Sequence, residues 1–260
     1  MAAVEVEEKV AVVPRVEVVY LPPITVDYPD SDGKPMAETD VHIQQLIYLR
    51  EALSDYFRDD PNVYVAGNLF VYYVEGDPSQ VVAPDVFVVK GVPKGNRRFF
   101  QVWKEGKAPD VVFELTSKKT RYEDLGAKKG TYEVLGVQEY FIFDPLGEYL
   151  RPPLMAFRLT PEGYRQVEEE PLVSQVLGLE LRVEGNFLRL VDPRTGEKLL
   201  TPLEAQEARR QAEEARRQAE EARRQAERRA AEEAEARRRA EAELEQLRAE
   251  LARLKGEVPG

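Results

Sequence analysis

Between residues 63 and 145 the chain passes through four apolar stretches: VYVAGNLFVYYV (63–74), VVAPDVFVV (81–89), DVVFEL (110–115) and EYFIFDP (139–145). Each is rich in β-branched and aromatic residues and bounded by Gly, Asp or Pro, which marks strands. DVVFEL is apolar almost throughout, as a central strand covered on both faces would be. Helical spacing appears in two places. After Met36, the residues Ile43, Leu46, Ile47 and Leu53 recur at roughly helical intervals, with Thr39 or Asp40 as cap and an end near Asp60-Pro61. Residues 121–135 read as a second helix, which Gly136 stops. Helix, three strands, helix, strand is a compact α/β order.

The flanks read differently. Residues 1–15 look like a flexible tail, 16–23 (VEVVYLPP) like an edge strand ended by Pro22-Pro23, and 27–35 (DYPDSDGKP) like a loop. MAFRLT, PEGYRQVEE, LELRVEG and NFLRLVD, within residues 154–192, suggest hairpins beside the sheet. Beyond Glu204 the composition shifts, and EARRQAE occurs three times in succession from Glu207. Ala208, Ala212, Ala215, Ala219, Ala222 and Ala226 form a heptad seam. Leu244, Leu247, Leu251 and Leu254 form a second seam, offset by a stutter. The expected organisation is a tail (1–15), one α/β domain (16–203) and a long charged helix (204–256) that pairs as a coiled coil or stands alone in solvent.

Composition narrows the chemistry. The chain contains no cysteine, so disulfides and thiolate metal sites are excluded, and its single histidine, His42, excludes a multi-histidine zinc centre. A metal would be held by oxygens, which favours Mg²⁺ or Mn²⁺. The first residues lack the apolar core of a signal peptide, and no run nears the ~18 apolar residues of a membrane span, so a cytoplasmic protein is expected. The net charge of −11 speaks against nucleic acid, but its distribution does not. From Lys90 to Lys129 eleven basic residues face five acids, a local excess of 11 − 5 = 6. Such a patch suits phosphate, although a solvated charged surface would read the same.

Two acids stand out. Asp85 and Glu114 lie in or beside apolar strands, where a carboxylate is costly unless it is paired or bound to metal. Asp124, Lys128 and Tyr132 follow at four-residue intervals on the next helix. Carboxylates that hold a divalent cation, with a lysine beside them, are the parts of a phosphodiester-cleaving site. Blander readings exist for each: Asp85 capping a turn, Glu114 paired with Lys118 or Lys128, Asp124 capping its helix or paired with Lys128, Tyr132 packing that helix on the sheet. Glu38, at the start of the first helix, is either a third acid or an N-terminal helix acid facing the dipole. His42 reads as a helix-surface or satisfied residue, and Phe99, Phe100 and Trp103 as packing rather than base-stacking groups.

The order of these motifs resembles the Uma-family restriction endonucleases, within the PD-(D/E)XK nuclease superfamily. Ala83-Pro84-Asp85-Val86 is similar to that family's PDV strand, and Ala108 to Ser117 (APDVVFELTS) to its P-D-hydrophobic-E-x-x-S strand. Asp124, Lys128 and Tyr132 resemble its D-x-x-x-K-x-x-x-Y helix, and Gly136 to Tyr140 with Asp144-Pro145 its closing motif. Leu21-Pro22-Pro23 and Asp32 to Met36 resemble the start of one of its branches, so the likeness spans about residues 17–190. It implies a restriction-endonuclease-like core (α-βββ-α-β, mixed sheet flanked by helices) with extra hairpins, and Mg²⁺- or Mn²⁺-dependent cleavage of DNA. It assigns Asp85 and Glu114 as catalytic metal ligands. The superfamily lysine would stand two residues after Glu114, but Thr116 is there. Lys128 is then the catalytic substitute and Lys118 a second candidate; Lys129 points about 100° away from Lys128 on a helix. Lys118, Lys119, Arg121, Arg97 and Arg98 are expected to meet DNA, and the tail to make a homodimer or higher oligomer. A catalytically degenerate scaffold that binds nucleic acid or a protein partner is the alternative.

Overall fold

The computed structural model describes residues 26–31, 33 and 38–256. The tail and the edge strand expected over 16–23 lie outside the described residues.

Helix α1 (Asp40–Tyr56) is capped by Thr39, whose side chain accepts from the His42 N–H. Its buried face is not the one the aliphatic residues suggest. His42, Gln45, Tyr48, Leu49, Ala52 and Leu53 point inward, while Ile43 and Ile47 are 43% and 45% exposed. Gln45 can be buried because the Leu188 backbone satisfies both ends of its amide, at 2.9 and 3.0 Å. This rotation turns His42 toward the interior.

The first two expected strands are each broken in two. VYVAGNLFVYYV gives β1 (Val63–Gly67) and β2 (Val71–Tyr72). VVAPDVFVV gives β3 (Val81–Val82) and β4 (Val86–Lys90). Asn68 adopts φ of 52°, and its N–H reaches the carbonyls of Pro84 and Asp85. Gly67 is needed there, because a Cβ would meet the Asp85 carbonyl oxygen at 2.9 Å. The chains part at this point. β2 and β3 join β5 (Phe100–Gln101), which leads into the short helix α2 (Val102–Glu105), in a separate small sheet.

The main sheet continues with β6 (Val111–Leu115). A helical segment follows as α3 (Arg121–Glu123), a π-helical turn (Asp124–Lys128) and α4 (Lys129–Leu135), which Gly136 ends in the left-handed region. Then come β7 (Glu139–Phe143), β8 (Leu154–Thr160) and β9 (Gly163–Val167). The sheet order is β1-β4-β6-β7-β8-β9, with β6 and β7 parallel and every other pair antiparallel. The parallel pair requires a crossover, which the segment 121–135 supplies. The period of two divides the core. Val86, Val88, Val111, Phe113 and Leu115 face α1 and the three-stranded sheet of β10 (Val173–Ser174), β11 (Leu179–Glu184) and β12 (Phe187–Val191). Phe87, Val89 and Val112 face Tyr132 and Tyr140 on the other side. The result is the expected α/β class, a mixed sheet with helices against it and hairpins beyond.

Helix α5 (Pro202–Gly256) starts with a reciprocal cap: the Glu204 N–H donates to Thr201 Oγ1 and the Thr201 N–H to Glu204 Oε2. Arg189 clamps both Glu204 oxygens at 2.9 and 3.1 Å, which ties the helix start to β12. Leu244, Leu247 and Leu251 are more than half exposed along it.

Candidate active site

Alternation along β6 puts Glu114 on the same face as Val112, toward the crossover helix. It is 1% exposed. An isolated carboxylate there would be untenable, and it is not isolated. Lys128 Nζ donates to Oε2 at 2.9 Å and the Tyr132 hydroxyl donates to Oε1 at 2.6 Å. Lys128 Nζ also lies 3.2 Å from Asp124 Oδ1, and Thr116 Oγ1 donates to Asp124 Oδ2 at 2.8 Å. Asp124, itself 1% exposed, pairs with Lys128 while Thr120 takes the cap position. The π-helical turn carries Asp124 and Lys128, a local widening that often marks function.

Electrostatics follows from this packing. Burial pushes the Glu114 carboxyl up, and Lys128 opposes that shift. Burial alone would lower the Lys128 ammonium, but Glu114, Asp124 and Asp85 outweigh it and raise it above the ordinary lysine value. Lys128 is therefore a fixed positive charge and not a proton acceptor. Burial first, then Glu114, raises the Tyr132 hydroxyl well above its ordinary value, so it serves as a donor.

Asp85 stands one residue before β4. Since Val86 pairs with Phe113, the antiparallel register sets Asp85 across from Glu114. Its Oδ2 accepts the Leu115 N–H at 2.7 Å, which fixes the carboxylate and leaves Oδ1 facing α1. His42 Nε2 lies 3.7 Å from that Oδ1 and 3.1 Å from Glu38 Oε2. The nitrogen is buried, yet it makes no hydrogen bond with either. One ligand atom from each of Glu38, His42 and Asp85 lies within 4.8 Å of the others. Burial lowers the His42 imidazole, but Asp85 and Glu38 outweigh it, so His42 titrates above its ordinary value. Burial and the neighbouring Asp85 raise Glu38.

Glu38, His42, Asp85, Glu114 and Lys128 line one cleft of about 420 Å³, with Thr116, Lys118, Lys119, Leu146 and Tyr149 at its walls and Asp124 and Tyr132 buried behind it. Lys118 and Lys119 sit in a turn, because the strand stops at Leu115 and does not carry Lys118 onto the Glu114 face. Arg121 is stacked between Tyr122 and Tyr149, 4.5 and 5.9 Å from their ring centres. Lys129 turns away and lies 4.1 Å from the Phe157 ring centre.

Two expected DNA contacts fall elsewhere. Arg97 is clamped by Glu105 at 2.7 and 3.0 Å and lies over Tyr64, lining a separate hollow beside β1. Arg98 pairs with Asp30. Lys107 pairs with Asp110, so these three basic groups are engaged by acids away from the cleft. Phe100 belongs to the core, and Phe99 and Trp103 pack on Tyr28.

A divalent cation fits the residues at the Asp85 end. Three ligand residues converge, two carboxylates and a buried imidazole whose Nε2 makes no hydrogen bond. Both oxygens of Glu114, in contrast, are engaged by protein donors. His42 is the residue that sequence reasoning passed over. The available signal was its place four residues after Glu38, across the Thr39 cap, which brings the two side chains together at the start of α1.

A solved structure described as a "putative nuclease belonging to DUF820 from Anabaena variabilis ATCC 29413" is similar, with 16% identity, a TM-score of 0.40, and coverage of 55% of this chain and 78% of that one. No curated protein matches the chain. Residues 21–184, which hold every group that lines the cleft, match the model of the Uma2 family, described as "Putative restriction endonuclease", and the chain belongs to that family.

Proposed function

We propose that the protein is a divalent-metal-dependent endodeoxyribonuclease of the PD-(D/E)XK type, working in the cytoplasm on DNA with Mg²⁺ or Mn²⁺. The observation that carries this reading is the meeting of Asp85, Glu114 and Lys128 in one cleft, with Lys118 and Lys119 at its wall. Asp85 would hold the ion, with Glu114 facing it from β6. When bound, the ion would neutralise charge on the phosphate and acidify a water molecule. The chain's own groups do the rest. Lys128, fixed and charged, sets a positive centre for the developing phosphate charge. Tyr132 orients Glu114 through its 2.6 Å hydrogen bond. Lys118 and Lys119 guide the phosphate backbone into the cleft.

Purified protein should nick or cut plasmid DNA when Mg²⁺ or Mn²⁺ is added. Asp85→Asn and Glu114→Gln should each lower the rate by at least about a hundredfold with an unchanged circular dichroism spectrum. Cleavage that survives both substitutions sinks the assignment. A degenerate scaffold is favoured by one feature: both Glu114 oxygens are already occupied while Thr116 replaces the motif lysine. No cleavage with any divalent ion, alongside retained DNA or partner binding, would select it.

We also propose that α5 joins two copies through its exposed leucine seam. Sedimentation of the full chain should give a dimer or higher oligomer, and a chain ended at residue 209 should give a monomer. A full chain that sediments as a monomer at micromolar concentration rejects this.

A further inference from the structure

We propose that Glu38, His42 and Asp85 form a mixed imidazole–carboxylate site for one divalent transition-metal ion, taking Mn²⁺ in preference to Mg²⁺. The inference deepens the nuclease reading, since it names the full ligand set and the ion for the cleft proposed above.

Three independent features support it. The first is spacing. Neighbouring ligands of an octahedral ion with bonds of about 2.1 Å stand about 3 Å apart. His42 Nε2 and Glu38 Oε2 are 3.1 Å apart, and His42 Nε2 and Asp85 Oδ1 are 3.7 Å apart. The second is the state of the nitrogen. His42 is 8% exposed and its Nε2 is buried with no hydrogen bond, although two carboxylate oxygens are near it. Its near neighbours are the carboxylate oxygens of Glu38 and Asp85, so the three donor atoms face one another. The third is charge. Glu38 and Asp85 with a neutral imidazole carry two negative charges, the complement of a divalent cation. The neighbouring Glu114 and Asp124 already have Lys128 as their shared cation.

Asp85 is fixed by the Leu115 N–H at 2.7 Å. Glu38 and His42 flank the Thr39 cap of α1, so one helix end positions both. The identity of the ion follows from the donor set. Carboxylates alone suit Mg²⁺, whereas an imidazole nitrogen shifts preference toward Mn²⁺ and later transition metals.

The chain contains a single histidine, which makes the test direct. Tag-free full-length protein is loaded with one equivalent of Mn²⁺ and examined by electron spin-echo spectroscopy. Modulation from an imidazole ¹⁴N is expected, and it can come only from His42. The modulation should vanish in His42→Gln, while Glu38→Gln should weaken Mn²⁺ binding at least tenfold by titration calorimetry. The Mn²⁺-over-Mg²⁺ affinity ratio should fall at least tenfold in His42→Gln. Bound Mn²⁺ without nitrogen modulation in the wild-type protein overturns the inference, and so does failure to bind Mn²⁺ at millimolar concentration. The wild-type spectrum needs no variant to fold. The two readings also fail separately. Nitrogen-ligated Mn²⁺ with no DNA cleavage removes the nuclease and keeps the site. DNA cleavage with nitrogen-free Mn²⁺ does the reverse.

Discussion

The two ends of the cleft are built on opposite principles. At one end Glu114, Asp124, Lys128, Tyr132 and Thr116 close a network around a built-in cation: both Glu114 oxygens and Asp124 Oδ2 accept protein hydrogen bonds, and Asp124 Oδ1 is ion-paired with Lys128. At the other, Glu38, His42 and Asp85 converge without hydrogen-bonding His42 Nε2. The closed end is deeply buried and contains its own cation. The open end carries excess negative charge and sits where α1 begins. A network closed by its own cation rigidifies a site, whereas converging ligand atoms without one leave room for a cation from outside. The comparison separates the residues that shape the cleft from those that receive a ligand.

Breaking the closed end should have the largest effect. Lys128→Met leaves Glu114 and Asp124 buried with no countercharge. Removing one partner of a buried ion pair costs about 3–5 kcal/mol. Urea unfolding should show that loss in the midpoint with little change in slope. A loss below about 1 kcal/mol would mean that the pair is solvated and that the two ends do not differ as described.

Much of the closed end can be read from the sequence, because local rules place it. Glu114 interrupts an apolar run, and Asp124, Lys128 and Tyr132 fall at four-residue spacing on the following helix. The parallel β6–β7 crossover then lays that helix over the strand. The same holds for Gly136 at the helix end and for the hairpins beyond residue 154. The open end escapes such rules. Its assembly depends on which way α1 is rotated, and the aliphatic residues misstate that. Ile43 and Ile47 face solvent while Gln45 is buried, because β12 offers Gln45 a complementary backbone. That long-range contact cannot be seen in local periodicity. The break at Asn68 is equally hidden: its left-handed backbone splits the strand and lets the chain turn past Asp85. The basic window misled for a related reason. Arg97, Arg98 and Lys107 are paired with Glu105, Asp30 and Asp110 away from the cleft, so a count along the chain overstates the cations that face it.

The smallest expected effect gives the sharpest test of the open end. Glu38 is partly exposed and shares its neighbourhood with another carboxylate, Asp85, which repels it. Without metal, Glu38→Gln removes that repulsion together with the attraction to His42. An exposed charge contributes at most about 1 kcal/mol, so the substitution should leave metal-free stability within that margin. With metal the outcome changes. A ligand that binds only the folded state stabilises it by about 2.7 kcal/mol at a hundred times its dissociation constant. Wild-type protein should therefore melt several degrees higher in saturating Mn²⁺, and Glu38→Gln should lose most of that rise at the same concentration. Lys128→Met should keep the rise even though its metal-free baseline is low, since the ion pairs of Lys128 are with Glu114 and Asp124 and not with the open ligands. Equal rises in wild type and Glu38→Gln would show that Glu38 does not hold the ion. A rise lost in Lys128→Met alone would move the metal to the closed end and reverse the assignment of the two halves.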